Sequence, residues 1–282
     1  MTLRSSLMLA AVFWLSAYVG APVVLSRKPL SSKWVLIAKS DLIVRAKLNI
    51  QPHVSKEDQA GCGWIDLNAS IEETVKGHIP GQTLTIRYWE TLEGPPLSSF
   101  EESAGQEVVL FLIEGQRGAD RSYYFFADHT PDVVIPFSSE VLSTIASEVE
   151  NQQEIAQHFN DLPFVTVATT DATIRRMLEG LVQKQTQEAA WGDLLKLSRN
   201  DAPAIVRNMI DFRPIPDFDA YLPNPRGASE AVAHYSPHRV IEAALLVLQF
   251  ITQIGFRRYE SNTQQEWLSE INGWRCWCAY NF

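Results

Sequence analysis

Apolar and polar residues alternate with a period of two from Asp41 to Pro136. Such alternation is typical of antiparallel strands with one buried face. Turn residues interrupt the alternation, as at Gly77 to Gly81 and at Gly94-Pro95-Pro96. The pattern therefore predicts five or six strands, at residues 42–50, 64–75, 83–90, 107–114, 122–127 and a short 133–135.

The period becomes helical from Ser138 onward. Ser138 or Ser139 can cap the first of these helices, and Asp171 can cap the next. A further helix is predicted from about Ala189, and Asp201 with Pro203 can begin a short one. The proline-rich stretch 213–226 is predicted to run over the surface.

The most apolar predicted helix runs from Ser236-Pro237 to Gly255. Its apolar core is too short to span a bilayer, so we expect it to be the central helix of the helical part. Thr263 and Glu266 have the spacing of a capping box, which predicts a final helix.

The residues of the mixed aromatic run Tyr123 to Phe126 would face both sides of a sheet. A closed or strongly curled barrel accommodates this better than one open sheet. The fold class expected is therefore α+β, with an OB-like antiparallel β-barrel of five or six strands followed by an α-helical domain. The predicted division is a barrel at 36–137, a linking helix and connection at 138–170, and a helical domain at 171–282.

Three segments carry a resemblance to a known family, namely SDLIVRAKL at 40–48, SIEETVKGHIPGQTLTIRYWE at 70–90 and AGQEVVLFLIE at 104–114. They resemble bacterial extracytoplasmic domains related to the netrin-like and metalloproteinase-inhibitor barrels. That resemblance implies an OB-like fold and little about function. The cysteine that the animal inhibitors place against the protease metal has no match here. The run at 191–211 is similar to one HEAT-type helical hairpin.

The run from Ser5 to Leu25 has no charged residue and follows Arg4. It predicts that residues 1–26 are an export signal or an uncleaved membrane anchor, and a buried core helix is the third interpretation. Cleavage could follow Ala17, Ala21 or Ser26. The protein is thus expected to be extracytoplasmic, either periplasmic or secreted, and membrane-anchored if the signal is retained.

The net charge is −9, and no basic stretch lies beyond the N-terminal run. Nucleic acid and anionic membrane surfaces are therefore not expected as partners. The chain has three cysteines, Cys62, Cys276 and Cys278, too few for a disulfide scaffold. One bond from Cys62 to either of the others and three separate thiols both remain open.

The chain contains no P-loop, dinucleotide fingerprint, Gly-x-Ser-x-Gly elbow or His-Glu-x-x-His motif. His234 and His238 are four residues apart, but Pro237 lies between them and spoils a shared helical face. Asp128-His129-Thr130-Pro131-Asp132 could place a histidine base beside carboxylates, although an ordinary turn explains the same residues. Asp217 and Asp219 resemble the start of a calcium loop that lacks its glycine and distal glutamate. No catalytic residue, cofactor or metal is predicted.

The candidate ligand surface consists of aromatic residues on the predicted barrel strands, because many OB barrels bind ligands through exposed aromatics. Packing in the barrel core is the alternative explanation. The residues selected are Tyr88, Trp89, Tyr123 and Tyr124.

These features favour an exported, non-catalytic binding or scaffold protein that recognises a protein or another cell-envelope component. Two other classes remain open. One is an envelope hydrolase whose active site forms only in the fold. The other is an immunity or inhibitor protein that blocks a secreted toxin or hydrolase.

Overall fold

A computed structural model describes residues 27–55, 63–90, 98–115, 123–128, 130–164, 169–222, 233–256 and 264–282. The predicted signal or anchor at 1–26 lies outside these ranges. The described chain is of the α+β class, with a closed five-stranded barrel and one extra strand followed by helices. The predicted fold class is confirmed.

Six strands form the barrel sheet. They are β1 Leu42–Ser55, β2 Gly63–Lys76, β3 Thr83–Glu90, β4 Glu107–Glu114, β5 Tyr124–Phe126 and β6 Val134–Pro136. Their order is β1-β2-β3-β5-β4, and β4 also pairs with β1, which closes a ring of five. Strand β6 is the extra one and pairs with β4.

The barrel is mixed rather than wholly antiparallel, which corrects the expected antiparallel ring. β3 and β5 run parallel and meet at the pair Ile86 and Tyr124. The other adjacent pairs of the ring are antiparallel. Strand β5 pairs antiparallel with β4, and this direction makes it parallel to β3 on its other edge. The alternation of apolar and polar residues shows where a strand lies, but it does not show which distant strand it pairs with.

Alternation explains why these residues form a barrel. In β2 and β3 the inward positions are apolar, and the residues between them are polar and more exposed. Strand β4 differs, because its residues 108–112 are all buried. The segments Trp34–Lys39 and Pro131–Val133 contact β4, so its outer face is covered as well as its inner one.

A tight turn and a short helix complete the barrel. Gly77 adopts φ +83° directly after β2, and an added Cβ there would meet the backbone of Asp41. Only glycine fits that close approach without strain. The helix α2, Ser98–Glu101, brings the Phe100 ring against Tyr88 and Phe126 inside the barrel.

Two helices join the barrel to the rest of the chain. Helix α1, Trp34–Lys39, precedes β1, and helix α3, Ser139–His158, follows β6. Ser138 caps α3 by accepting a hydrogen bond from Val141 N at 3.2 Å, as predicted. Leu36 and Ile37 of α1 lie in the barrel core, whereas Ala38 lies in the helical core.

The helical part contains α4 Asp171–Leu181, α5 Gln187–Leu194, α6 Ala202–Asn208, α7 Val240–Thr252 and α8 Gln264–Asn281. Thr170 caps α4 in place of the predicted Asp171, because its hydroxyl accepts from Thr173 N. The central position expected of α7 is confirmed by nine buried residues. It ends three residues before the predicted Gly255, because Gln253 takes the left-handed position at φ 59°.

The proline-rich stretch is partly structured, contrary to a simple surface connection. Ala220–Leu222 forms β7, which pairs antiparallel with β8, Ala233–Tyr235. Ala220 and Leu222 are buried in the helical core, while Tyr221 between them is 56% exposed.

The described residues form two large apolar cores, one made by the barrel strands together with Leu36, Ile37, Ile145 and Val149 of α1 and α3, and one among the remaining helices. The division into domains at the predicted boundaries stays a prediction, since α1 contributes to both cores. None of the helices in the described ranges has the length and apolar character that crossing a bilayer requires.

Candidate functional site

The outer side of β2 and β3 carries a row of paired polar side chains. Asp66 lies opposite Arg87 in the strand register, and Asn68 lies opposite Thr85. The residues that alternate with them, such as Leu67 and Ile86, are fully buried, so this row faces outward. We call Asp66, Asn68, Thr85 and Arg87, together with Tyr123, the Arg87 face.

Arg87 is held by two hydrogen bonds to one carboxylate. Its Nε donates to Asp66 Oδ1 at 2.8 Å, and its Nη2 donates to Asp66 Oδ2 at 3.0 Å. The hydrogen bond with Asp66 raises the pKa of Arg87 above its ordinary value. The two hydrogen bonds fix the orientation of both side chains. Each side chain is nevertheless 34% exposed to solvent.

An aromatic ring completes the face. The Arg87 guanidinium carbon lies 4.4 Å from the centre of the Tyr123 ring, a cation–π arrangement. Tyr123 in turn meets Phe125 edge-on, with ring centres 5.6 Å apart. Asn68 and Thr85 continue the row through a hydrogen bond of 3.2 Å. The face thus offers a cation, a carboxylate, an amide and a ring to a ligand at its surface.

The four predicted ligand-surface residues fall in different places. Tyr88 and Tyr124 are only 5% and 8% exposed, so core packing describes them better than a surface does. Tyr123 is partly exposed and belongs to the Arg87 face. Trp89 pairs with Trp64 in the strand register, and its side chain lies outside the described residues. The structure therefore corrects the placement of Tyr88 and Tyr124, and ligand binding by the set stays a prediction.

Arg87 and Asp66 were missed by the aromatic criterion, although the sequence holds the signal for them. Leu84, Ile86 and Tyr88 share one parity of β3 and are apolar or aromatic. Arg87 must then lie on the opposite side of the strand. A charged residue between such positions is a better marker of the outer face than the tyrosine beside it.

The possible histidine base lies outside the described residues, since His129 is not among them. Its neighbouring carboxylates are described, and both pair with lysines. Lys39 Nζ donates to Asp128 at 2.9 Å, and Lys33 Nζ lies 2.7 Å from Asp132. Pro131–Val133 forms a single 3₁₀ turn, which agrees with the turn interpretation of this segment.

The other candidate ligands are dispersed. The His238 amide donates to Glu242 at the start of α7, and His234 pairs with Tyr221 across the hairpin. Asp219 accepts a hydrogen bond from Ser236. No group of three histidine, cysteine or acidic residues within the described ranges could hold a metal ion.

The two C-terminal cysteines are buried free thiols on α8. Burial raises the pKa of Cys276 to about 12 and raises that of Cys278 well above its ordinary value. Both therefore stay protonated and weakly nucleophilic. Cys62 lies outside the described residues.

Comparisons with known proteins do not add to this picture. No protein-family model matches the chain, and no curated protein is significantly similar to it.

Proposed function

We propose that this chain is an exported, non-catalytic binding protein whose OB-like barrel recognises a protein or another cell-envelope component through the Arg87 face. The observation that carries the proposal is the arrangement of Arg87, which is fixed by Asp66 and stacked on Tyr123 while about a third of its side chain stays exposed. A binding group that is held in place loses little conformational freedom when a partner arrives.

The position of the face supports the same function by analogy of fold. OB barrels commonly bind ligands on the outer side of strands 2 and 3, where Asp66, Asn68, Thr85 and Arg87 lie. Nucleic acid is disfavoured as the ligand by the net charge of −9. A partner that presents carboxylates or hydroxyls matches the guanidinium, carboxylate and ring. Export is inferred from the uncharged run at Ser5 to Leu25.

The barrel offers a matched control on another pair of strands. Arg45 of β1 donates from Nε to Glu107 Oε2 at 2.9 Å, and its guanidinium carbon lies 4.1 Å from the centre of the Phe137 ring. Like Arg87, it combines a carboxylate pair with an aromatic stack. Replacing it removes the same kinds of contact without touching the Arg87 face.

The test is affinity capture from the cell envelope of the native organism with the mature protein, Arg87→Ala and Arg45→Ala. We expect the wild type and Arg45→Ala to capture the same stoichiometric partner. The affinity of Arg87→Ala for that partner should be lower by roughly tenfold or more. Melting curves of both variants serve as the folding control.

Two results would overturn the proposal in different ways. If both variants bind the partner equally well, the binding site lies on another surface of the protein. The absence of a partner, together with turnover of an envelope polymer, would replace the binding function with the hydrolase.

A further inference from the structure

One edge of the Arg87 guanidinium has no carboxylate from the chain. Asp66 accepts hydrogen bonds from Nε and Nη2, which lie on the same edge of this planar group. Within the part of the chain that the structure describes, Asp66 is the one acidic residue paired with Arg87. The edge that carries Nη1 is therefore the place where an acidic ligand would meet the Arg87 face.

A second arginine of the barrel shows how such an edge is completed. Arg45 also lies over an aromatic ring, and it donates from Nε to Glu107. Its Nη1, however, lies 3.9 Å from a carboxylate oxygen of Glu73. Arg45 thus contacts two carboxylates of the chain, whereas Arg87 contacts one. A carboxylate supplied by a ligand would give Arg87 the same environment.

Charge favours a carboxylate over a phosphate as the acidic group. The Asp66 carboxylate already balances the charge of the Arg87 guanidinium, and the whole chain has a net charge of −9. A singly charged carboxylate can share the guanidinium, as two carboxylates do at Arg45. A phosphate dianion would bring a second negative charge close to Asp66 and would be repelled.

The side chains beside Arg87 match the hydroxyl groups of a sugar. Thr85 donates to Asn68 at 3.2 Å, and next to this pair Asn49 Nδ2 of β1 donates to Ser70 Oγ of β2 at 3.2 Å. These amides and hydroxyls lie on the outer side of the barrel, and Asn49 and Asn68 are exposed. Amides and hydroxyls both donate and accept hydrogen bonds, as sugar hydroxyls do.

An acidic peptide fits this surface less well. The outward positions of β2 from Asp66 to Ser70 are all polar, so they offer no apolar anchor to a peptide side chain. β2 pairs with β1 on one edge and with β3 on the other, so a peptide cannot add to it as a further strand. Outward side chains lie about 7 Å apart along a strand and about 5 Å apart across strands, which is about the footprint of one pyranose ring.

We propose that the Arg87 face binds a sugar acid, whose carboxylate contacts Nη1 of Arg87 and whose hydroxyls contact Asn68 and Thr85. This assignment rests on the proposed binding function and names its ligand class. The envelope component is then an acidic polysaccharide rather than a protein.

The ligand class is tested by isothermal titration calorimetry of the full chain with three probes. They are a galacturonate oligosaccharide, the same oligosaccharide after reduction of its carboxylates to alcohols, and an oligoglutamate of equal charge. We expect the galacturonate oligosaccharide to bind. The reduced form should bind roughly tenfold or more weakly, because a hydrogen bond to a charged group is lost. The oligoglutamate should also bind roughly tenfold or more weakly, because it lacks the ring hydroxyls.

Four variants locate the site. Arg87→Ala should bind the acidic and the reduced oligosaccharide equally weakly, and Arg87→Lys should recover part of the difference, because it keeps the charge and loses the planar fork. Thr85→Ala should weaken both oligosaccharides by the same factor, since it removes a contact with hydroxyls. Arg45→Ala should keep the wild-type affinities. Melting curves show that each variant folds, and the comparison of the acidic with the reduced oligosaccharide needs the wild type alone.

The possible failures are distinguishable. Equal affinity of the wild type for the acidic and the reduced oligosaccharide would overturn the role of the carboxylate, and tighter binding of oligoglutamate would replace the sugar with an acidic peptide. If the galacturonate oligosaccharide does not bind while capture from the envelope still depends on Arg87, the sugar acid is wrong and the proposed function stands. If neither oligosaccharide binding nor capture changes in Arg87→Ala, both proposals are wrong.

Discussion

The barrel and the remainder of the chain bury polar groups in different ways. Among the barrel-strand residues whose side chains the structure describes, tyrosine is the one residue type with a polar group that is buried. The buried polar side chains belong to the segment just before α1, to the helices and to the helix ends. They are Ser31, Ser40, Glu148, Gln152, Gln187, Asp201, Thr252 and Glu270.

Backbone hydrogen bonding explains this difference. In a closed ring of strands, each backbone group finds its partner on the next strand. A short helix leaves unpaired groups at its ends, and α5 and α6 contain only 8 and 7 residues. Side chains supply what is missing, as when Ser138 Oγ accepts from Val141 N at 3.2 Å at the start of α3, or Asp201 Oδ2 accepts from Ser198 N at 2.8 Å just before α6. The barrel thus depends on apolar volume, and the helical part depends also on particular polar contacts.

The largest effect is expected from Phe111→Ala in the barrel. Phe111 is 0% exposed and lies opposite Ile43 in the strand register. Phe111 alternates with Leu110 and Leu112, which face into the barrel, so its ring lies on the outer side of β4, where it is fully buried. Removing the ring leaves a cavity in this buried site, so the free energy of unfolding should fall by about 3–5 kcal/mol. Denaturant unfolding followed by circular dichroism measures this, with Phe111→Leu as the milder control. A loss below about 1 kcal/mol would show that the residues around this site can collapse into the gap.

A smaller, pH-dependent effect is expected from Asp201→Ala in the helical part. Asp201 is 3% exposed, and its Oδ2 accepts from Ser198 N at 2.8 Å and from Ser198 Oγ at 2.9 Å. Burial alone would raise the pKa of Asp201, but the hydrogen bonds from Ser198 oppose it, and the pKa is lowered from its ordinary value. The stabilisation is therefore present at neutral pH and is lost as the pH falls through the lowered pKa.

We expect Asp201→Ala to lower the free energy of unfolding by about 1–2 kcal/mol at neutral pH. The difference in free energy of unfolding between the wild type and the variant should become smaller in acid. Unfolding curves over a pH series measure both. Asp193→Ala serves as the control, because its pair with Lys196 is exposed and should contribute less than about 1 kcal/mol. Parallel pH profiles for the wild type and Asp201→Ala would contradict the role of this carboxylate.

The difference between apolar packing in the barrel and specific polar contacts in the helical part also decides how much of the fold could be predicted. Strand positions follow from local alternation, and β3 and β4 have the predicted bounds. Helix ends follow less well, because Thr170 and Gln253 take positions that the sequence pattern assigned to Asp171 and Gly255. The Arg87 face could have been predicted from the alternation of inward and outward residues along β3. The burial of Glu148 could not, because two of its hydrogen-bond partners, Leu30 and Tyr280, lie 118 and 132 residues away.

The smallest effect is expected from His129→Ala, which lies between β5 and β6 in the sequence. The carboxylates beside His129 in sequence contact Lys39 and Lys33, whereas a histidine base needs a carboxylate that orients its ring. The change should alter the free energy of unfolding by less than about 0.5 kcal/mol, as turn substitutions usually do. Partner capture through the Arg87 face should be unaffected. If an activity is found and His129→Ala lowers it about a hundredfold at an unchanged Tm, a loss typical of a removed general base, the hydrolase must replace the binding function.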